Sequence, residues 1–153
     1  MSRAALSRSR SSQEELNRRK LARLNPWAFA CYVDPHYAKP YSYPHSKLIF
    51  DTLKEAESGK LWEGMGGYGA RILIITIPPN HLKSSITNKF AAWWLGKRHA
   101  AGDPHQIALV SYGSTVAETN SNTILNTIQE PAYKNIFPQL RLDHHNPSAK
   151  SGA

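Results

Sequence analysis

One stretch constrains this chain more than any other. Arg71 to Ile77 (RILIITI) is an almost unbroken apolar, β-branched run, halted by Pro78-Pro79. The loop Asn80-His81-Leu82-Lys83-Ser84-Ser85 follows, and then Ile86, Phe90, Trp93 and Trp94 recur at helical spacing up to Gly96. A run of that kind marks a strand covered on both faces of a parallel sheet. The three- and four-residue spacing predicts an amphipathic helix that Gly96 ends, with Trp93 and Trp94 in the core. A second apolar run, Ile107 to Val110, predicts another strand. Thr115 and Glu118 have capping-box spacing and open a helix with Val116, Thr123, Ile124, Thr127 and Ile128 on its inner side, ended by Pro131. Strand, helix, strand, helix predicts an α/β fold: a parallel sheet with flanking helices and right-handed crossovers.

The loop between the first strand and its helix is the candidate site. A phosphate-binding loop requires backbone N–H groups at a helix N-terminus, where the dipole favours anions. It also requires a lysine for the β- and γ-phosphates and a following hydroxyl for magnesium. Lys83 and Ser84 stand in those places. Against the pattern G-x-x-x-x-G-K-[ST], Ile77 and Leu82 occupy the two glycine positions. Leucine disfavours positive φ, so the loop is expected to avoid it at Leu82. On these residues alone a phosphate loop and a plain surface turn between strand and helix both stay open. The four glycines within residues 64–69 read as a turn, because a strand rather than a helix follows them.

Upstream, Ser12 and Glu15 have capping-box spacing and predict a helix to about Leu24, preceded by a Ser/Arg-rich arm over residues 1–11. Asn25-Pro26 starts a short helix carrying Trp27, Ala30, Cys31 and Val33, and Asp34-Pro35 ends it. Residues 35–45 read as an extended aromatic–proline loop. From Ser46 a helix with Leu48, Ile49, Thr52, Leu53 and Ala56 on one face runs to Gly59. A single cysteine, Cys31, excludes an internal disulfide and a cysteine-based zinc site. His144-His145 reads as part of a solvated polar tail. No apolar stretch approaches the length of a membrane span. The net charge of +8 invites a nucleic-acid reading, but residues 1–24 hold seven basic and two acidic side chains, so most of the excess belongs to that arm.

The string IPPNHLKSSITNKFAAWWLG (77–96) resembles the phosphate-loop region of the large subunit of tailed-phage terminases, the motors that package viral DNA. His105 to Gly113 (HQIALVSYG), Glu118 in its Ala-Glu pair, and Pro131 to Leu142 (PAYKNIFPQLRL) are similar to the segments that follow in that family. Asn25 to Phe50 is similar to its lead-in. The likeness spans about residues 25–142 and rests on ordered co-occurrence.

The resemblance implies an incomplete P-loop NTPase-type sheet domain over 25–142, after a basic, partly helical arm at 1–24 and before a polar tail at 143–153, where the chain is expected to be truncated. It implies ATP and Mg2+ as ligands. Asn80, His81, Leu82, Lys83, Ser84 and Ser85 would surround the phosphates, Ser84 would also bind the metal, and Tyr43 and His45 are candidates for adenine contact. The family commonly has an arginine near the position of Asn80, which Asn80 cannot replace in charge. The carboxylates after residue 113, Glu118, Glu130 and Asp143, do not follow an apolar strand, so no acidic catalytic pair is identifiable and the family's nuclease carboxylates are missing. The full-length parent is expected to be an ATP hydrolase, and this chain alone inactive, marginally stable and prone to associate. Implied partners are double-stranded viral DNA, the terminase small subunit, the portal and further copies in a homo-oligomer, in the cytoplasm of the bacterial host and without a membrane. The competing readings are a basic DNA-binding adaptor that takes no nucleotide and a fragment of a helicase-like translocase.

Overall fold

A computed structural model describes residues 3–39, 44–64, 71–103 and 105–140, with side chains from residue 10 onward. Its regular structure is helical: α1 (Arg3–Leu24), α2 (Pro26–Val33), a 3₁₀ turn (Pro35–Ala38), α3 (Pro44–Ser58), a second 3₁₀ turn (Lys60–Trp62), α4 (Lys83–Ala101), α5 (Ser114–Gln129) and α6 (Pro131–Ile136). Local chemistry sets several of the ends. The Asn25 side chain accepts from the amides of Trp27 and Ala28, and Pro26 begins α2 without an N–H to satisfy. The Asp34 carboxylate accepts from the His36 amide and starts the first 3₁₀ turn inside the stretch read as extended. Gly59, at φ 86°, turns the chain after α3.

α4 is the centre of the molecule because it feeds both hydrophobic clusters. On one side Ala91, Ala92 and Trp93 meet Ala22, Phe29, Val33, Ile124, Ile128, Tyr133, Ile136 and Phe137. On the other, Ile86 meets Ala30, Tyr37, Ile49 and Phe50. Each large side chain buried here contributes about 1.5–3 kcal/mol. Several buried polar atoms find partners, although Ser46 Oγ and Arg98 Nε do not among the described residues. The Trp93 indole N–H donates to the carbonyls of Ala22 and Arg23 at 3.1 and 3.2 Å, and the Tyr133 hydroxyl donates to Ala92 O at 2.9 Å. The Arg23 guanidinium donates to Ile136 O at 2.6 Å, which ties the C-terminal end of α1 to α6. Glu57, 6% exposed, pairs with Lys97 at 2.5 Å and Arg98 at 3.2 Å and fastens α3 to α4.

The expected α/β parallel sheet is corrected by the helical structure. Among the described residues there is no strand, and neither 71–77 nor 107–110 joins a ladder. In the first segment Leu73, Ile75 and Ile77 are half-buried, and Ile75 and Ile77 lie against the Ile86–Phe50 cluster. Ile72 and Ile74 are 73% and 82% exposed, so the run is covered on one face instead of two. In the second, Ile107 and Leu109 are 37% and 39% exposed while Val110 stands out at 93%. The physical reason is that β-propensity expresses packing against neighbouring strands, and helices supply the neighbours here.

Smaller expectations also change. α1 begins at Arg3, ahead of the capping box at Ser12, and α5 begins at Ser114 with Gly113 as N-cap instead of at Thr115. α4 passes through Gly96 and ends at Gly102, whose φ of 73° gives the helix its left-handed stop. Gly96 serves packing: a Cβ there would meet Phe137 Cδ2 at 2.4 Å and Tyr133 Oη at 2.5 Å. The polar tail 143–153 with His144-His145, and most of the glycine turn 64–69, lie outside the described residues.

Candidate functional site

The loop that enters α4 is built by two prolines and two left-handed residues. Pro78 and Pro79 fix their own φ and donate no N–H. Asn80 (φ 63°) and Leu82 (φ 60°, ψ 14°) are the two non-glycine residues with positive φ among those described. Asparagine visits that region at little expense, whereas leucine sits there against its Cβ sterics, at about 1–2 kcal/mol. The expectation that the loop avoids positive φ at Leu82 is therefore corrected. The backbone at Leu82 takes a left-handed conformation of the kind that glycine adopts freely.

The consequence is an open helix start. Leu82 is the N-cap of α4 and has no side-chain oxygen to offer, and no side-chain hydrogen bond caps this end. The first closed turn is Ile86 N–H donating to Leu82 O at 2.8 Å. The amides of Lys83, Ser84 and Ser85 thus lack an intrahelical acceptor, and they lie at the positive end of a 19-residue helix. The start of α2 is different, since Asn25 occupies its leading amides.

Around that helix start Pro78, Pro79, Asn80, Leu82, Lys83, Ser84 and Ser85 line a depression of about 470 Å3. Lys83 and Ser84 are exposed. Among the described residues the lysine ion pairs are Lys47–Asp51, Lys60–Glu55 and Lys97–Glu57, and Lys83 takes part in none of them. The other expected site residues take different places. The Ser85 hydroxyl faces inward, 2.8 Å from the Tyr37 hydroxyl. His81 donates from Nδ1 to Pro79 O at 2.8 Å, and its ring lies 5.4 Å from that of His45. His45, near the start of α3, donates from Nε2 to His81 O at 3.1 Å. It thus lies beside the loop and is bonded to the loop backbone, a contact the sequence reading did not foresee. Tyr43, the other candidate for adenine contact, lies outside the described residues.

Sequence reasoning missed Tyr37. It is 4% exposed, with edge-on contacts to the rings of Trp27 (6.0 Å) and Phe50 (5.8 Å), and burial holds its phenol above the ordinary tyrosine value. Nothing in its spacing separates it from the other tyrosines of the 35–45 stretch. The Glu57 bridge, which sets α3 and hence His45 against α4, was also invisible in sequence.

The residues present suit a phosphate group on three counts: amides without an intrahelical acceptor at a helix N-terminus, an exposed Lys83 ammonium in no ion pair among the described residues, and an exposed hydroxyl at Ser84. For magnesium the protein offers the Ser84 hydroxyl. No group of three or more His, Cys, Asp or Glu able to hold a metal occurs among the described residues, so further ligands would have to come from phosphate oxygens and water. No described helix is long and apolar enough to cross a membrane. Compared with known proteins, the chain matches no family model, no curated protein and no solved structure.

Proposed function

We propose that this chain binds the phosphates of ATP at the start of α4 and serves as the nucleotide-binding part of a DNA-packaging motor's large subunit. The observation that carries the nucleotide reading is the pairing of a left-handed Leu82 with an uncapped helix start at Lys83. A leucine held there at a conformational cost indicates that the turn is needed as it is. In this reading the amides of Lys83, Ser84 and Ser85 bind phosphate oxygens, and Lys83 neutralises the β/γ end. Ser84 contributes a hydroxyl to magnesium, which, when bound with ATP, offsets charge on the phosphates. The loop is carried by a helical scaffold and draws on no sheet.

The motor assignment rests on the ordered likeness of residues 25–142 to terminase large subunits, and double-stranded DNA, the small subunit and the portal enter as partners on that ground. No acidic pair for hydrolysis is identifiable, so nucleotide binding without turnover is the activity proposed for this chain. Titration calorimetry with a non-hydrolysable ATP analogue and magnesium tests it. Binding by the native chain that weakens at least about ten-fold in Lys83→Ala is expected, the loss of one charge-assisted phosphate contact. Binding that Lys83→Ala leaves unchanged refutes it. Salt-dependent DNA binding that survives Lys83→Ala and vanishes when residues 1–24 are deleted, with no nucleotide binding, would support the adaptor reading instead.

A further inference from the structure

Leu82 poses a question that the phosphate reading leaves open: what holds a leucine in a left-handed turn. Its own side chain does not, since it is 37% exposed. Two hydrogen bonds from distant parts of the chain flank it. On the N-terminal side, His45 Nε2–H donates to the carbonyl of His81, 36 residues away in sequence. On the C-terminal side, the Tyr37 hydroxyl meets that of Ser85 across 48 residues. Both anchors are themselves fixed. Tyr37 is wedged between Trp27 and Phe50, and α3, which carries His45, is fastened to α4 through Glu57.

We infer that His45 and Tyr37 are positioning residues: they clamp the loop at His81 and Ser85 and so hold Leu82 left-handed, the role a glycine fills through its own freedom. This reassigns His45 from base contact to the loop backbone. It deepens the phosphate reading and rests on it only for its effect on ligand affinity. The geometric part stands by itself.

The inference predicts that the clamps matter because position 82 is leucine, so their effect should shrink when it becomes glycine. The reporter is the Ile86 amide, whose bond to Leu82 O closes the turn. Its hydrogen exchange in the full chain, read by NMR, needs no ligand. His45→Ala and Tyr37→Phe, the latter keeping the packed ring, are each expected to speed that exchange by roughly two- to ten-fold, the loss of one net hydrogen bond. In a Leu82→Gly background the same substitutions should change it by less than about two-fold. The affinity for the ATP analogue should follow the same pattern. Equal acceleration in both backgrounds, or none in either, overturns the clamp, because a merely structural role for these side chains would not depend on residue 82. A native chain that fails to bind the analogue would refute the phosphate reading and leave the exchange result to decide the clamp.

Discussion

Gly96 offers a sharp test of the fold, because sequence and structure assign it opposite roles. As a helix terminator in the left-handed region it would lose only about 1 kcal/mol to alanine. As a packing residue inside α4 it should lose more. An alanine Cβ would lie 2.4 and 2.6 Å from two ring atoms of Phe137 and 2.5 Å from the Tyr133 hydroxyl. Both rings are at most 2% exposed and have little room to retreat. Overpacking of this kind is worth about 1–3 kcal/mol, and three sub-contact distances put this case near the upper end. Displacing the Tyr133 hydroxyl also endangers its bond to Ala92 O, adding about 1 kcal/mol. Alanine's helix propensity returns about 1 kcal/mol. The net is a loss of roughly 3 kcal/mol, or a fall in Tm of about 6–12 °C for a chain of this size. Thermal and urea denaturation followed by circular dichroism measure it. Gly102→Ala is the comparison: nothing lies within contact of its Cβ, and only the φ of 73° penalises it, by about 1 kcal/mol. A Gly96→Ala chain as stable as the native one would refute the packing of α6 on α4.

Other outcomes follow from the same contacts. Burial holds the Tyr37 and Tyr133 phenols above the ordinary tyrosine value, so the folded state favours their neutral form. The associated stability is complete below about pH 10 and is lost as pH rises beyond it, and phenolate absorbance should show two tyrosines ionising late, with unfolding. Tyrosines that all ionise together near the ordinary value, without unfolding, would contradict their burial. Glu57→Gln removes the charge shared by Lys97 and Arg98. Since those two partners are about a third exposed and partly screened, the expected loss is about 1–2 kcal/mol, seen as a lower urea midpoint. The Cys31 thiol, raised by burial, should react slowly with an alkylating reagent in the folded chain and quickly in urea.

The helices were readable where their signals are local. Asn25-Pro26, Gly59 and the spacing of Ile86, Phe90 and Trp93 each act through neighbours a few residues away, and α2, α3 and α4 follow them. The sheet was misread because an apolar run reports that burial is wanted but not by what, and Ile75 and Ile77 find helices. Gly96 and Gly102 look equivalent in sequence, and only the ring of Phe137 tells packing from stopping. At the loop, the helix that opens at Lys83-Ser84 was legible from pattern. The left-handed Leu82 ran against its residue type, and its anchors at Tyr37 and His45 are long-range contacts that local spacing does not encode.

Amide NMR shifts during titration with magnesium and a non-hydrolysable ATP analogue probe the helix start itself. Large, saturable shifts at Lys83, Ser84 and Ser85, much reduced by Lys83→Ala, are the predicted result. Saturable shifts elsewhere with these three amides unmoved, or no saturable shifts at all, would contradict the assignment of α4's first turn as the anion site.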